Sequence, residues 1–162
     1  MKELTFKYEQ HPSTRRLKDA QRSLLKEAKK ALKKSYSPYS GFQVAAAIEL
    51  ANGAIISGAN YENAAYPLCL CAERVALAAA ASQFPNVAIV RMAITVKSKE
   101  HPQHKPAAPC GACRQVILET ESKQKKSMEI ILRGEKGDII VIPDGGQSLL
   151  PLGFSGDALN GK

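Results

Sequence analysis

The chain has 162 residues, 44% of them apolar and 23% charged, enough for one domain with a sizeable core and unlike a disordered, fibrous or repeat protein. Its longest unbroken apolar stretch, Val75 to Ala81, falls far short of the roughly 20 residues that span a bilayer, and MKELTFKYEQ lacks the apolar region of a secretory signal, so a cytoplasmic protein with no membrane partner is expected. Net charge is +8, of which residues 1–34 carry +7, from eleven Lys or Arg against four Asp or Glu.

After a short extended start at Leu4 to Tyr8, Leu17, Ala20, Leu24, Leu25, Ala28, Ala31 and Leu32 recur at spacings of three and four, which predicts an amphipathic helix within about residues 13–34. The Lys and Arg residues fall mostly between those positions, so the charge reads as a solvated face. No aromatic residues interleave with it as a single-strand platform needs, and no specific nucleic-acid partner is expected. Tyr36 to Gly41 combines turn formers with two tyrosines and reads as a loop.

Phe42 to Ala51 and Ala54 to Ala59 flank Asn52-Gly53, the signature of a tight antiparallel hairpin. The alanine and leucine content of Leu68 to Ala81 favours a helix, stopped by Phe84-Pro85. Val87 to Val96 is a β-branched run of strand length, followed by a basic, proline-bearing loop over Lys97 to Ala108. A second helix is predicted over about Cys110 to Thr120, then strands at Met128 to Arg133 and Asp138 to Ile142. Gln147 to Leu150 makes one helical turn, and a loose tail follows at about 157–162. The alternation of strands and helices predicts a single α/β domain over 1–162, a three-layer α-β-α sandwich with a mixed sheet of about five strands and parallel strands in its middle.

In such a sheet the amino ends of the two middle helices can meet beyond the carboxyl ends of the strands, bringing Cys71, Cys110 and Cys113 together. Helix amino termini favour thiolates, and three thiolates held close demand a cation; zinc suits three protein ligands with a fourth position open. Glu73, two residues after Cys71, is the candidate proton shuttle of a hydrolytic reaction. Cys110-Gly111-Ala112-Cys113 alone would also fit a redox pair or a structural zinc, with Cys69 as a fourth ligand. A redox pair needs neither Cys71 nor Glu73, and Cys69 is expected to point elsewhere.

The full pattern, Cys71-Ala72-Glu73 and then Pro109-Cys110-Gly111-Ala112-Cys113, resembles the zinc deaminase signature with cysteine in place of the histidine ligand. With Ser35 to Phe42, Asn60-Tyr61-Glu62-Asn63-Ala64, Cys110 to Val116 and Leu149-Leu150-Pro151 before Phe154, the chain resembles the cytidine deaminase family, small homotetrameric class, over nearly all of residues 13–156. The resemblance implies hydrolysis of cytidine and deoxycytidine to uridine and deoxyuridine with release of ammonia, in pyrimidine salvage, with one zinc per chain. It implies that Asn60 and Glu62 bind the ribose 3'-hydroxyl, that Phe42 packs on the pyrimidine and that the Ala72 N–H holds its 2-oxo group. It also implies that Arg74 hydrogen-bonds zinc-bound sulfur and that Phe154 of one subunit covers the pyrimidine held by another, within a homotetramer. Competing readings are a deaminase of another cytosine-containing nucleoside, such as a nucleoside antibiotic, and a zinc-stabilised nucleic-acid-binding protein. Asn60 and Glu62 favour a plain nucleoside, and Glu73 would be idle in a binding protein.

Overall fold

Strand residues of opposite parity serve opposite helical layers. Ala47, Ala93, Ile131, Ile139 and Val141 pack beneath Leu17, Leu24, Leu25 and Ala28, the last three on the buried side of α1 (Asp19–Ala31). The alternate residues Ala46, Ile48, Met92, Ile94, Ile130 and Leu132 pack against Ala72, Ala76, Leu77 and Ala80 of α2 (Ala72–Gln83) and Ile117 of α3 (Gly111–Gln124). A period of two along each strand thus gives a three-layer α-β-α sandwich. The computed structural model describes residues 1–98, 100–156 and 159; the expected tail at 157–162 lies outside them except for Leu159. Among the described residues no helix is long and apolar enough to cross a membrane.

The sheet has six strands rather than about five: β1 (Glu9–His11), β2 (Phe42–Leu50), β3 (Ile55–Ala59), β4 (Ile89–Ser98), β5 (Glu129–Arg133) and β6 (Ile139–Ile142), in the order β1-β6-β5-β4-β2-β3. The additional strand, β1, pairs antiparallel with β6, and it lies just beyond the extended Leu4 to Tyr8 expected from sequence. Its three residues are too few to show an alternating pattern. Among the strands of the described residues, β4 and β5 are the one parallel pair, because β2 lies antiparallel to both β3 and β4. The Asn52-Gly53 hairpin forms as expected, with Gly53 at φ +83°, a conformation that L side chains rarely adopt.

The first middle helix begins at Ala72, not at Leu68. Tyr66–Leu68 is a 3-10 turn containing Pro67, after which Leu70 exchanges two backbone hydrogen bonds of 2.9 Å with Tyr61. That pairing holds the chain extended up to Cys71. α3 runs past Thr120 to Gln124 and ends with Lys125 in the left-handed region at φ 52°. Near its end the buried Glu121 carboxylate accepts the Met128 N–H at 2.8 Å and the Gly146 N–H at 3.0 Å, fixing α3 to the short α4 (Gly145–Leu149).

Close approach of α2 to the sheet depends on Gly58 of β3. A Cβ there would stand 2.6 Å from Ala76 N and 2.7 Å from Ala72 O, both backbone atoms of the first turns of α2. Gly58→Ala should therefore push the start of α2 off the sheet and cost about 1–3 kcal/mol, the usual range for overpacking. Urea denaturation measures the loss; unchanged stability would show that α2 does not need this contact.

Candidate active site

Both middle helices begin with a cysteine. Cys71 is the N-cap of α2 at φ −72°, ψ 148°, and Cys110 the N-cap of α3 at φ −67°, ψ 168°; neither side chain caps its own helix. Cysteine is a poor N-cap beside Ser, Thr, Asp or Asn, so helix stability does not account for it at both positions. The β3-α2-β4 and β4-α3-β5 connections bring these ends together, and Cys113 in the first turn of α3 joins them. The three Sγ atoms lie within 4.8 Å of one another, with Cys110 3.9 Å from Cys71 and 3.5 Å from Cys113.

Zinc–sulfur bonds of about 2.3 Å in a tetrahedron separate sulfurs by about 3.8 Å, so this donor set fits zinc. The Cys113 thiol beside it brings the Cys71 thiol down to about 6, against burial and the Glu73 charge and with help from Cys110 and the Arg74 charge. The Cys71 sulfur, then burial and Glu73, push the Cys113 thiol up. A thiolate thus forms readily at Cys71, as metal ligation needs. Cys69 does not join the cluster: its sulfur accepts the Asn63 N–H at 3.2 Å.

Glu73 is 4% exposed. Burial pushes its carboxyl up, while its own backbone N–H and the Cys113 thiol pull the other way. It lines a cavity of ≈ 270 Å³ together with Phe42, Asn60, Glu62, Cys71 and Cys110. The volume lies near the lower end for small-molecule sites. Ala72 is buried and opens α2, where a helix leaves N–H groups unpaired, but it is not among the residues lining the cavity. Arg74 acts on Cys71 through its charge. Phe154 is exposed and lies outside its own chain's cavity, with its carbonyl accepting Gln115 Nε2 at 2.8 Å.

Asn60 and Glu62 have structural duties of their own. Asn60 Oδ1 accepts the Ser35 hydroxyl at 2.6 Å and the Val44 N–H at 2.8 Å, and its Nδ2 donates to the Phe42 carbonyl at 2.9 Å. Glu62 accepts the N–H groups of Tyr39 and Ser40, at 2.9 and 3.2 Å, and the Ser40 hydroxyl. Against a desolvation penalty, the Ser40 hydroxyl and these N–H groups hold its carboxyl below the usual range. The loop before β2 and the loop after β3 are therefore stitched together by the two residues expected at the ribose.

Sequence reasoning missed Arg114, whose Nε donates to the Pro109 carbonyl at 2.9 Å and Nη1 to the Leu149 carbonyl at 3.1 Å, tying the approach to Cys110 to α4. Its place directly after Cys113 was the available signal. It also missed Ala107 and Ala108, which end the basic insertion and line the cavity.

The layered fold and the three-sulfur cluster at paired helix ends define an α/β protein with a centre suited to zinc. A family model described as "Cytidine and deoxycytidylate deaminase zinc-binding region" matches residues 18–128. A cytidine deaminase of Halalkalibacterium halodurans is 40% identical over 137 residues, covering 85% of this chain and 96% of that one. One from Sporosarcina psychrophila is 42% identical over 116 residues, 72% and 79% of the two chains. The crystal structure of cytidine deaminase from Burkholderia pseudomallei superposes with a TM-score of 0.71 at 40% identity, over 82% of this chain and 97% of that one. The chain belongs to the cytidine and deoxycytidylate deaminase family.

Asn60→Ala should lower stability by about 1–3 kcal/mol, since it leaves the Val44 N–H, the Ser35 hydroxyl and the Phe42 carbonyl without this partner. Denaturant unfolding without any ligand checks this; an unchanged midpoint would leave Asn60 with a substrate role alone.

Proposed function

We propose that the chain is a single deaminase domain over residues 1–162 that converts cytidine and deoxycytidine, with water, to uridine and deoxyuridine and releases ammonia, in the cytosolic salvage of pyrimidine nucleosides. The observation that supports this most is the position of Glu73, buried in the turn opened by Cys71, against Cys113 and in one cavity with Phe42, Asn60 and Glu62. Zinc held by Cys71, Cys110 and Cys113 would supply Lewis acidity that makes water nucleophilic at neutral pH.

Glu73 moves the protons. Its carboxylate takes one proton from water and gives it to N3 of the pyrimidine as C4 is attacked, then takes the proton left on the new C4 hydroxyl and delivers it to the departing amino group as the C4–N bond breaks. Arg74 places positive charge near Cys71, offsetting the charge of three thiolates. Phe42 packs on the pyrimidine, and the Ala72 N–H holds its 2-oxo group. Asn60 keeps one amide hydrogen beyond those its fold contacts use, and Glu62 keeps a lone pair, so each can still hydrogen-bond the ribose 3'-hydroxyl.

The same reading makes the protein a homotetramer with shared sites. Tyr36, Tyr39, Tyr61, Tyr66, Leu68 and Leu70 are exposed on the two loops beside the cavity, apolar surface that a neighbouring subunit would cover. A groove of ≈ 550 Å³ between α2 and α3, lined by Leu77, Phe84 and Val116 among others, adds to it. Phe154, exposed and outside its own chain's cavity, covers the pyrimidine of a neighbour.

Glu73→Gln should retain one zinc per chain and lose about 10²- to 10⁴-fold in deamination, because the amide keeps the shape and cannot carry protons. An ultraviolet assay with cytidine, deoxycytidine, cytosine and an oligonucleotide, with elemental analysis for zinc, reads both. Activity within a few-fold of the parent would remove Glu73 from its role, and preference for the oligonucleotide would refute the nucleoside reading. Cys69→Ser should keep its zinc, whereas Cys110→Ser should not.

Phe154→Ala should raise KM or lower kcat without losing zinc. Mixing it with Glu73→Gln subunits should regenerate sites in which both residues are intact. An active species that sediments as a monomer, or mixtures without any recovery, would defeat the shared-site reading.

A further inference from the structure

Not all of the amino-terminal charge faces open water. Arg22, Lys26 and Lys29, four and three residues apart, form one stripe along α1. That stripe borders a cavity of ≈ 390 Å³ between the helix and the carboxyl ends of β4 and β5. Ala93 and Ile131 pack beneath α1, so by alternation the next residues on that face are Thr95, Lys97 and Arg133. All three line the cavity, on the far side of the sheet from α2 and α3.

The lining combines two kinds of surface. Leu25 and Leu32 are apolar, while among the described residues Arg22, Lys26, Lys29, Lys97 and Arg133 supply five cations against one carboxylate, Glu135. Glu135 is already engaged, its Oε1 accepting the N–H groups of Ser98 at 2.9 Å and Gln103 at 3.4 Å. Arg22 pairs with Asp19. Among the described residues Lys26, Lys29 and Arg133 have no ion-pair partner. Arg133 Nε is in addition buried with no hydrogen-bond acceptor, the one such side-chain atom among the described residues. Native structures seldom leave a buried guanidinium donor unpaired, and the guanidinium group that carries it belongs to a residue lining the basic cavity, where an anion would offer acceptors.

We propose that this cleft binds a nucleoside polyphosphate, with its phosphates on Lys26, Lys29, Lys97 and Arg133 and its base and sugar along Leu25 and Leu32. Cations on a helix and on two strands, spread along one cleft, match a chain of phosphates better than a single anion. The planar fork of an arginine suits a phosphate oxygen pair. An apolar wall would be wasted on an inorganic ion. Among the described residues no aromatic side chain lines the cavity, so a polynucleotide finds no stacking platform there. A volume of this size lies within the range of small-molecule sites.

Isothermal titration calorimetry on the intact zinc-loaded protein, at about 0.15 M salt and with uridine saturating the catalytic cavity, tests the proposal with ATP, CTP and inorganic pyrophosphate. One nucleoside triphosphate per chain should bind with a Kd on the order of 10 µM, and pyrophosphate more weakly by about tenfold. Lys26→Ala with Lys29→Ala, both exposed positions on α1, should weaken nucleotide binding by about tenfold or more while leaving cytidine deamination and zinc content unchanged. Arg133→Met should weaken it similarly. No binding below millimolar concentration, or binding indifferent to the lysine pair, overturns the site. Pyrophosphate binding as tightly as the nucleotides overturns the role given to the apolar wall. Tighter, steeply salt-dependent binding of single-stranded RNA overturns the small-molecule reading.

Discussion

The structure is organised around the meeting of two helix amino termini. Cys71 and Cys110 can approach to 3.9 Å only because α2 and α3 both start at the same end of the sheet and both rest on its same face. The strand order produces this: β4 and β5 are adjacent and parallel with α3 between them in sequence, and α2 crosses from β3 to β4 over β2. Partial positive charge at each helix start lowers the cost of gathering thiolates there. Sulfurs that would be indifferent capping groups are thereby free to point at one another.

Small residues make that meeting close. Ala72, Ala76 and Ala80 place almost nothing between α2 and the sheet, and Gly58 removes even a methyl group from the strand beneath. The opposite layer is looser in its demands, since α1 uses leucines and meets alanines on β2 and β4. Packing that supports chemistry is thus distinguished from packing that supports only the fold by how little space it allows. A helix displaced by a fraction of an ångström at Ala72 would move both Cys71 and Glu73.

Legibility in the sequence followed the range of the interaction. α1 showed itself through local periodicity and the β2–β3 hairpin through Asn52-Gly53, both of which are decided within a few residues. The sulfur cluster and Glu73 were legible because a metal centre restricts residue type and spacing strongly. β1 was not, because three residues carry no period and their pairing with β6 depends on a strand far along the chain, Glu9 lying opposite Val141. The start of α2 was misplaced because composition favoured helix from Leu68, while the competing partner, Tyr61, lies in another loop. Asn60 and Glu62 illustrate a further limit. Their identities were conspicuous, yet each also holds two loops together, and no spacing rule distinguishes a residue that binds a ligand from one that shapes the place where the ligand goes.

The period of two that builds the layers also sets what one strand can serve. Along β4, Ile94 contributes to the wall beside Glu73, Thr95 and Lys97 open on the basic cleft, and Val96 borders both spaces. A single strand therefore separates the candidate catalytic cavity from a cleft rich in cations. Nearness alone does not couple two sites. A ligand in the cleft could alter catalysis only by favouring one of two arrangements of the elements that carry Cys71, Glu73 or Cys110. β4 is hydrogen-bonded on both sides, to β2 and β5, and its central residues are buried, so it offers little room for a second arrangement. The insertion after β4 also touches both spaces. It leaves Lys97 at the cleft, is pinned by Glu135 to the turn after β5, and ends at Ala107 and Ala108 in the catalytic wall.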